Sequence, residues 1–288
     1  MRTIICLFFM FLSFSHAIAD SLPIDLSGGK VPNPKAFFSD SVYEDESLKI
    51  SIEQTTYHNT NIYLAYVHIE DPSQLRTAPA YSFERDQVEP SDVIAKRVNA
   101  VLAINGDYFS YQLQGGSYLI RQGVMYWNEP MRRRDVLLIH DNGDFDIVQC
   151  KSNGEPAEFE SDWSGIVNSF NFGPGLVIDG KRLDPEYSQN YNDSLVKHRR
   201  CAIAQVKKGL LDYICIVTDG PEENENGGLT IQELADFVAA LGVDNAYNLD
   251  GGNSTVMLFG GRKINAIDQK YLRPISDIIY FATTVGAN

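Results

Sequence analysis

Alternating apolar and polar positions divide the first two thirds of the chain into short strands. Residues 48–52 alternate strictly, and 62–69 is rich in aromatic and β-branched residues, so both segments are predicted strands. Two further apolar runs, 136–139 and 145–148, flank Asn142-Gly143, which is a strong hairpin signal. This part of the chain is therefore expected to form mainly antiparallel sheet.

The same pattern predicts a second hairpin and a short helix–strand unit. The runs 201–206 and 213–217 are apolar and separated by a turn, so they are predicted to pair. Ser91 is a candidate N-cap for a helix that continues to about residue 98. The apolar run 100–104 then predicts a buried strand.

The clearest local unit is a strand–helix–strand over residues 213–249. Thr230 and Glu233 have the spacing of a capping box, and apolar residues then recur at helical spacing. Gly242 stands where a helix end favours a left-handed residue, and a second strand is predicted over 246–249. Two strands joined by a helix are expected to run parallel, with Asp219 and Asp250 at the same sheet edge.

These elements predict an α/β protein with some α+β character. We expect a mixed β-sheet with an antiparallel N-terminal portion and a C-terminal βαβ unit, within a single domain at 46–288. The proline- and glycine-rich segment 20–45 is expected to be an irregular lead-in.

The first residues of the 288-residue chain have the pattern of a secretory signal peptide. A basic start precedes an apolar run, and Ala17-Ile18-Ala19 matches a cleavage site. The apolar run is shorter than the roughly 20 residues that span a bilayer. We therefore expect residues 1–19 to be removed, and the mature protein to be periplasmic or extracellular, without a transmembrane segment.

The net charge limits the binding partners that are expected, and the cysteine count limits the disulfide pairing. The formal net charge of −14 argues against nucleic acid and against anionic membranes. Cys150, Cys201 and Cys215 remain after the signal segment, and at least one of them is expected to be unpaired. A cross-strand disulfide between Cys201 and Cys215 and a pair of small buried thiols are both compatible with the pattern.

Candidate chemistry concentrates where predicted strands end. Asp250 precedes Gly251 and Gly252, followed by Asn253 and Ser254. Glycines let the backbone approach a ligand closely, and successive amides in such a turn can bind an anion. An aspartate before two glycines can also be a simple turn former.

Three further groups could complete a site. Arg199 and Arg200 open a strand, and a guanidinium binds phosphate or carboxylate with a planar fork of donors, although a strand-end anchor is the alternative. Asn105, Gly106, Asp107, Tyr108 and Phe109 combine polar groups with rings, a mixture that suits sugars as well as an ordinary turn. Asp219 before Gly220 is either a turn-forming residue or a second carboxylate of the site.

Five segments in order resemble the phosphodiester glycosidase family, which includes N-acetylglucosamine-1-phosphodiester α-N-acetylglucosaminidase and bacterial exopolysaccharide-related members. They are 103–109, 200–204, 217–220, 228–235 and 248–254. The chain departs from the family pattern where Asn253 replaces a third glycine, and at Asp107, Ala204 and Pro221.

The resemblance implies cleavage of a sugar from a sugar-1-phosphodiester or a related envelope glycoside. By motif position, Asp250 is the implied catalytic carboxylate, Arg200 the group that holds the anion, and Asp219 a second acid or base. The implied substrate-binding residues are Asn105, Gly106, Asp107, Tyr108, Gly251, Gly252, Asn253 and Ser254.

Two alternatives remain open at this point. The chain could be a non-catalytic glycan-binding module of an export or envelope system. It could also be a structural domain with calcium bound by the acidic loop from Asp219 to Glu225, although that spacing fits no EF-hand. No cofactor is otherwise expected.

Overall fold

The computed structural model describes residues 28–84, 87–108, 117–159, 162–184, 195–265 and 272–287. The α-helices in these ranges are α1 (Ser91–Arg97) and α2 (Ile231–Ala240), and the 3-10 turns are Pro34–Ala36, Pro72–Gln74 and Gly252–Ser254. The first strands are β1 (Phe37–Ser39), β2 (Val42–Glu44), β3 (Leu48–Tyr57), β4 (Thr60–Ile69), β5 (Leu75–Pro79), β6 (Glu89–Pro90), β7 (Leu102–Asn105), β8 (Tyr118–Arg121), β9 (Val124–Asn128), β10 (Val136–His140) and β11 (Phe145–Val148). The remaining strands are β12 (Ile166–Phe170), β13 (Gly175–Ile178), β14 (Lys181–Arg182), β15 (Cys201–Gln205), β16 (Asp212–Thr218), β17 (Asn245–Leu249), β18 (Met257–Phe259), β19 (Arg262–Lys263), β20 (Pro274–Ile275) and β21 (Asp277–Phe281).

A nine-stranded sheet forms one layer, in the order β1-β2-β3-β4-β16-β15-β17-β13-β14. Each neighbouring pair in it is antiparallel. The central strands β15 and β17 are buried along their whole length, as is typical of strands covered on both faces.

The second layer contains a five-stranded sheet, β19-β18-β7-β21-β5, and a three-stranded sheet, β11-β10-β12. The largest apolar core lies between the two layers. It combines Cys201, Tyr247 and Leu249 of the nine-stranded sheet with side chains such as Ile104 and Phe170 opposite them. Sheet packing of this kind buries one face of each layer and fixes the position of the strand ends.

Helices cover the outer faces of the layers. The apolar side of α2 packs on alternate residues of the nine-stranded sheet, including Ala202, Ile216 and Ala246. Helix α1 packs on the outer face of the five-stranded sheet in a separate cluster. The chain therefore has the mixed α/β architecture expected from its pattern.

Most local predictions are confirmed. Strands β10 and β11 pair across the Asn-Gly turn, and β15 pairs with β16. The capping box between Thr230 and Glu233 is present, and Gly242 adopts φ 75°. Cys201 and Cys215 are both buried and free, because Cys215 lies opposite Ile203 rather than Cys201.

The predicted strand–helix–strand unit differs in one respect. Strands β16 and β17 run in the same direction, since both are antiparallel to β15, but β15 lies between them. The hairpin turn after β15 places that strand directly beside β16, so β17 pairs on the far side. The two strand ends still share one edge of the sheet.

Two further expectations are wrong, and one lies outside the described residues. Residues 37–44 are not an irregular lead-in, because β1 and β2 pair with each other and β2 pairs with β3. Pro90 rather than Ser91 occupies the N-cap of α1, without a side-chain capping bond. The signal peptide at 1–19 falls in 1–27, which the structure does not describe. No helix among the described residues is long and apolar enough to cross a membrane.

Candidate active site

The end of β16, the start of β15 and the end of β17 meet at one edge of the nine-stranded sheet. Asp219 follows β16, Arg199 and Arg200 precede β15, and Asp250 follows β17. The Gly252 amide donates to the Arg199 carbonyl oxygen over 2.9 Å, so the turn after β17 folds against the start of β15.

Two glycines make this close approach feasible. A Cβ at Gly251 would lie 2.8 Å from the Arg199 carbonyl oxygen, and a Cβ at Gly220 would lie 2.6 Å from Arg199 Cγ. Both separations are shorter than van der Waals contact permits, so a larger residue would push the loops apart. The glycines therefore hold the loops after β16 and β17 tightly against Arg199 on either side.

The carboxyl group of Asp250 is the central titratable group of this edge. The residue is only 6% exposed. Burial raises the pKa of Asp250 to about 6, while hydrogen bonds from Ser254 and the Gly251 amide and the charge of Arg273 oppose that rise. An aspartate with this pKa exchanges its proton close to neutral pH, which suits acid–base or nucleophilic work.

Arg273 is linked to Asp250 through Ser254. Its guanidinium Nη1 donates to Ser254 Oγ over 3.2 Å, and its positive charge acts on the Asp250 carboxylate. Arg273 is half-buried and precedes β20. A guanidinium beside a reactive carboxylate can neutralise negative charge on a bound ligand.

Asn105 holds the Asp250 turn in place. Its side-chain amide donates to the Asp250 carbonyl oxygen over 2.7 Å, and its Oδ1 accepts from the Val256 amide over 3.2 Å. The residue is fully buried. These contacts tie Asn105 to the Asp250 turn, and the direct sugar contact predicted for it stays a prediction.

Asp107 likewise has partners within the protein. Its carboxylate accepts from the backbone amides of Asn171 and Phe172 and from Arg121 Nη2 over 3.2 Å. Burial raises the pKa of Asp107 even though Arg121 lies beside it. The sugar contact predicted for Asp107 stays a prediction, as for Asn105.

Arg121 completes a buried triad with Asp107 and Asp277. Its Nε and Nη2 donate to Asp277 Oδ2 over 2.9 and 2.8 Å, and its guanidinium lies 4.2 Å from the ring centroid of Phe170. One cation thus serves two carboxylates, and the negative charge of Asp107 contributes to the raised pKa of Asp250.

Gly106 and Tyr108 belong to the same loop. A Cβ at Gly106 would lie 2.2 Å from Asp277 Oδ1, so this position has no room for a side chain. Tyr108 is half-buried beside the buried Asp107. Phe109, the last residue of the predicted loop motif, lies outside the described residues.

Arg200 donates hydrogen bonds to backbone carbonyl oxygens. Its Nε donates to the Leu229 carbonyl oxygen over 2.8 Å and its Nη2 to that of Val196 over 2.7 Å. These bonds tie Arg200 to the backbone just before α2 and to the segment just before β15. The anion-binding role predicted for Arg200 stays a prediction.

Arg199 is the guanidinium that reaches the loops after β16 and β17. Its Nη1 donates to Asn253 Oδ1 over 2.9 Å, and its Nε lies 2.9 and 3.0 Å from the two carboxylate oxygens of Glu223. Arg199 also lies within the electrostatic reach of Asp219. Asp219 itself accepts from Asn61 Nδ2 over 3.0 Å.

The accessible surface near Asp250 is formed by the turn itself. Asn253 is exposed, Gly251 and Gly252 are half-buried, and Ser254 is buried against the carboxylate.

A depression of about 360 Å³ lies elsewhere, at the opposite end of β16, where Asp212 and Tyr213 line it. Its size alone does not connect it with the titratable groups described above.

The acidic loop, residues 221–228, is tied to Arg199 through Glu223. Glu223 accepts from Arg199 and from the Gly220 amide, at 2.8 Å for the latter. Across the described ranges, no group of three or more potential protein ligands is arranged to hold a metal ion.

Sequence reasoning missed Arg273 and Arg121 as members of this region, because they lie in no motif and only the fold identifies them. It named Arg199 as half of an arginine pair, but alternation along a strand shows only that the two side chains point to opposite faces. It named Glu223 only as part of the acidic loop.

Comparisons with known proteins identify the family and the fold. A profile described as phosphodiester glycosidase matches residues 98–282, more than half of the chain. An uncharacterised SPbeta prophage-derived protein of Bacillus subtilis strain 168, YomE, is 27% identical over 225 residues, covering 72% of this chain and 33% of that protein. The chain therefore spans about one third of this curated relative.

Solved structures show the same fold. The catalytic domain of zebrafish N-acetylglucosamine-1-phosphodiester α-N-acetylglucosaminidase, auto-inhibited by its pro-peptide, has a TM-score of 0.64 at 20% identity, covering 87% of this chain and 86% of that domain. A hypothetical protein from Synechocystis has a TM-score of 0.57 at 14% identity, covering 84% and 64% respectively.

Proposed function

Because this chain belongs to the phosphodiester glycosidase family, we propose that it is a hydrolase that releases a sugar from a sugar-1-phosphodiester or a related glycoside. The family supports glycosidase-type activity. The identity of the substrate and the roles of individual residues are proposals for this chain. The signal-like pattern of 1–19 supports the further proposal that it acts after export, in the periplasm or outside the cell.

One observation carries the catalytic proposal. Asp250 is a buried carboxyl group with a pKa raised to about 6, and it lies at a strand end beside Gly251 and Gly252, which are half-buried. Burying such a group destabilises the fold, because its charged form loses hydration. A reaction between Asp250 and the substrate would account for a carboxyl group being buried at this cost.

The proposed reaction breaks the bond between the anomeric carbon and the ester oxygen. Ordinary glycosidases use two carboxyl groups because the leaving alcohol has to be protonated. A phosphate monoester leaves as a stable anion with the bonding electron pair, so one carboxylate can suffice. Asp250 would attack the anomeric carbon itself or activate the attacking water, and the mechanism then requires no proton transfer by Asp219.

Arg273 is proposed to bind the departing phosphate. Arg273 is the guanidinium that acts electrostatically on Asp250, and Gly251 to Asn253 form the accessible backbone around it. Preorganised positive charge of this kind stabilises negative charge that develops in the transition state. We propose Arg273 for the role that the motif comparison assigned to Arg200.

Other predicted substrate-binding residues act indirectly in this proposal. Asn105 fixes the Asp250 backbone, and Asp107 contributes negative charge from the buried triad. Tyr108 and Asn253 are the predicted residues whose partial or full exposure allows direct contact with a sugar.

The test is hydrolysis of sugar-1-phosphodiesters and nitrophenyl glycosides by the purified protein and its Asp250→Asn variant. N-acetylglucosamine is the first sugar to try, since the name of the zebrafish relative specifies it. In ¹⁸O-labelled water, the proposal requires the label on the released sugar, whereas cleavage of the phosphorus–oxygen bond would place it on the phosphate. Retention at the anomeric carbon would identify Asp250 as nucleophile, and inversion as base.

Binding of sugars without turnover by the unmodified protein would contradict the enzyme proposal. That outcome would support the alternative of a glycan-binding module, which tolerates loss of Asp250. Running the same panel with a chelator separates a metal-dependent reaction from the carboxylate reaction proposed above.

A further inference from the structure

We propose that Arg199, Glu223 and Asn253 form a clamp that positions the Asp250 turn for catalysis, with Arg199 as its central positioning residue. The inference rests on the proposed function for its kinetic consequence, but the clamp itself is defined by contacts in the fold. It ties together the acidic loop after β16 and the turn after β17, which are otherwise separated by the start of β15.

The contacts of Arg199 use both ends of its guanidinium. The Nε and Nη2 atoms face the Glu223 carboxylate, and Nη1 donates to Asn253 Oδ1. The Arg199 carbonyl oxygen also accepts from the Gly252 amide. Side chain and backbone of one residue thus hold the same turn at two points.

Burial makes this link persistent. The side chains of Arg199 and Glu223 are only 4% and 8% exposed, although Asn253 itself is exposed. A fork of parallel hydrogen bonds between a guanidinium and a carboxylate is geometrically specific, and removing one partner leaves a buried charge without compensation. Asn253 is therefore held by a rigid group rather than by a mobile surface side chain.

The clamp also explains why Arg199 does not serve as the anion-binding residue. Glu223, Glu222 and Asp219 all act on its single positive charge, with Glu222 Oε2 3.7 Å from Nη2. The positive charge of Arg199 is thus offset by acidic neighbours, whereas the positive charge of Arg273 acts on Asp250. A substrate would therefore place its phosphate toward Arg273 and its sugar toward the clamp.

Asn253 directly follows two adjacent glycines, Gly251 and Gly252, in the turn after β17. A misplacement of about 1 Å at a reacting group can lower turnover by roughly a hundredfold. A turn that contains two adjacent glycines gains the most from an additional anchor, because glycine has the greatest backbone freedom.

The first test uses Asn253→Ala and the matched pair Glu223→Gln and Glu225→Gln. Glu223 and Glu225 lie in the same acidic loop, but Glu225 is exposed. We expect N253A and E223Q to lower kcat about tenfold with KM changed less than twofold, and E225Q to change neither. Equal effects of E223Q and E225Q would show a general charge effect and would overturn the clamp.

A second test compares Arg199→Lys in the unmodified protein and in N253A. If Arg199 acts through Asn253, R199K as a single substitution lowers kcat. When R199K is added to N253A, kcat then falls by less than a further factor of two. If the losses in kcat of R199K and N253A multiply in the double variant, Arg199 and Asn253 have independent roles and the proposal is contradicted.

Amide hydrogen exchange provides a readout that does not depend on activity. We expect at least tenfold faster exchange at residues 251–254 in N253A and E223Q, but unchanged exchange in E225Q. Faster exchange in a protein that hydrolyses no substrate would support the clamp while rejecting the proposed function. Unchanged exchange in all three variants would overturn the clamp even if the enzyme is active.

Discussion

The side-chain amide of Asn105 donates a 2.7 Å hydrogen bond to the backbone carbonyl oxygen of Asp250. This bond connects the five-stranded sheet with the nine-stranded sheet, because Asn105 ends β7 and Asp250 follows β17. The carboxylate is therefore placed by both layers of the fold. Its orientation depends on how the layers pack as well as on its own turn.

Replacing Asn105 by Ala is expected to lower both stability and turnover. The change leaves the Asp250 carbonyl and the Val256 amide without their buried partner, which costs about 1–3 kcal/mol of unfolding free energy. Chemical denaturation measures this loss, and kinetics at a temperature where the variant remains folded measures the effect on kcat. An unchanged kcat in the folded variant would show that Asn105 does not position the carboxylate.

Asp250→Asn is expected to stabilise the protein at neutral pH while abolishing turnover. The pKa of Asp250 rises from 3.8 to about 6 on folding, so the folded state binds more protons between these values. Stability is therefore lost as pH rises from about 4 to about 6, and the loss is complete above that range. The variant should gain on the order of 1–3 kcal/mol at pH 7.5 and much less near pH 4.

Thermal denaturation of D250N and the unmodified protein at both pH values measures this difference. A gain of the same size at pH 4 and pH 7.5 would show that titration of Asp250 is not its cause. Full activity of D250N would reject Asp250 as the reacting carboxylate.

The pH dependence of kcat/KM should report the ionisation of Asp250. A nucleophile or base has to be charged, so activity is expected to rise with pH through about 6 and then level off. Initial rates between pH 4 and pH 8, with stability checked at each pH, measure the profile. Activity that falls with rising pH through this range would instead identify Asp250 as a proton donor.

Arg273→Gln is expected to affect anionic substrates most. Loss of the guanidinium removes the charge that opposes the rise in the Asp250 pKa, so the acidic limb of the profile moves to higher pH. We expect about a hundredfold lower kcat/KM for phosphodiesters, a typical loss for one stabilising group at a reaction centre, and a smaller loss for neutral glycosides.

Arg262→Gln is a suitable control for R273Q, since Arg262 forms a surface ion pair with Asp40. The control should leave the profile unchanged. Equal losses on phosphodiesters and neutral glycosides in R273Q would contradict a role in binding the phosphate.

Gly251→Ala should destabilise the protein through a steric contact. Gly251 has φ −115° and ψ −157°, which other residues can adopt, but its Cβ would lie 2.8 Å from the Arg199 carbonyl oxygen. Forcing extra volume into such a contact costs about 1–3 kcal/mol. Gly286→Ala is the matched control, because its Cβ would contact only Lys30 side-chain atoms, the nearest at 3.5 Å. Denaturation midpoints that shift equally in both variants would reject the steric explanation.

Local sequence patterns were sufficient for the hairpins, for α2 with its capping box and for the turn after β17. These features depend on neighbouring residues, such as Thr230 and Glu233, whose spacing determines the bonds they form. Placing Asp219 and Asp250 at one sheet edge also follows from local pattern, because a strand, a helix and a second strand fix the direction of both strands.

The order of strands could not be obtained in this way. That β15 lies between β16 and β17 depends on pairings between distant segments, and no periodicity encodes them. The same limit explains why the sequence could not show which of Arg199 and Arg200 reaches the turn after β17. Adjacent strand residues point to opposite faces, and only the packing of the layers shows which face meets the turn after β17.

The residues around Asp107 show why the partners of a buried charged side chain could not be predicted from the sequence. Its predicted sugar contact relied on residue type, whereas Arg121 and the amides of Asn171 and Phe172 satisfy its carboxylate. Arg121 is separated from Asp107 by residues 108–120, and Asp277 lies 156 positions beyond Arg121. No spacing rule joins such a triad before the fold is known.

The strand between β16 and β17 acts as a spacer of fixed width. Two steps across a sheet, each about 4.7–4.9 Å, set the ends of these strands roughly 9–10 Å apart. Hydrogen-bond geometry determines this distance between the ends of β16 and β17. Replacing a side chain in the loops can therefore change which groups lie between the strand ends but not how far apart the ends are. Adapting this scaffold to a bulkier or slimmer ligand would therefore call for longer or shorter loops.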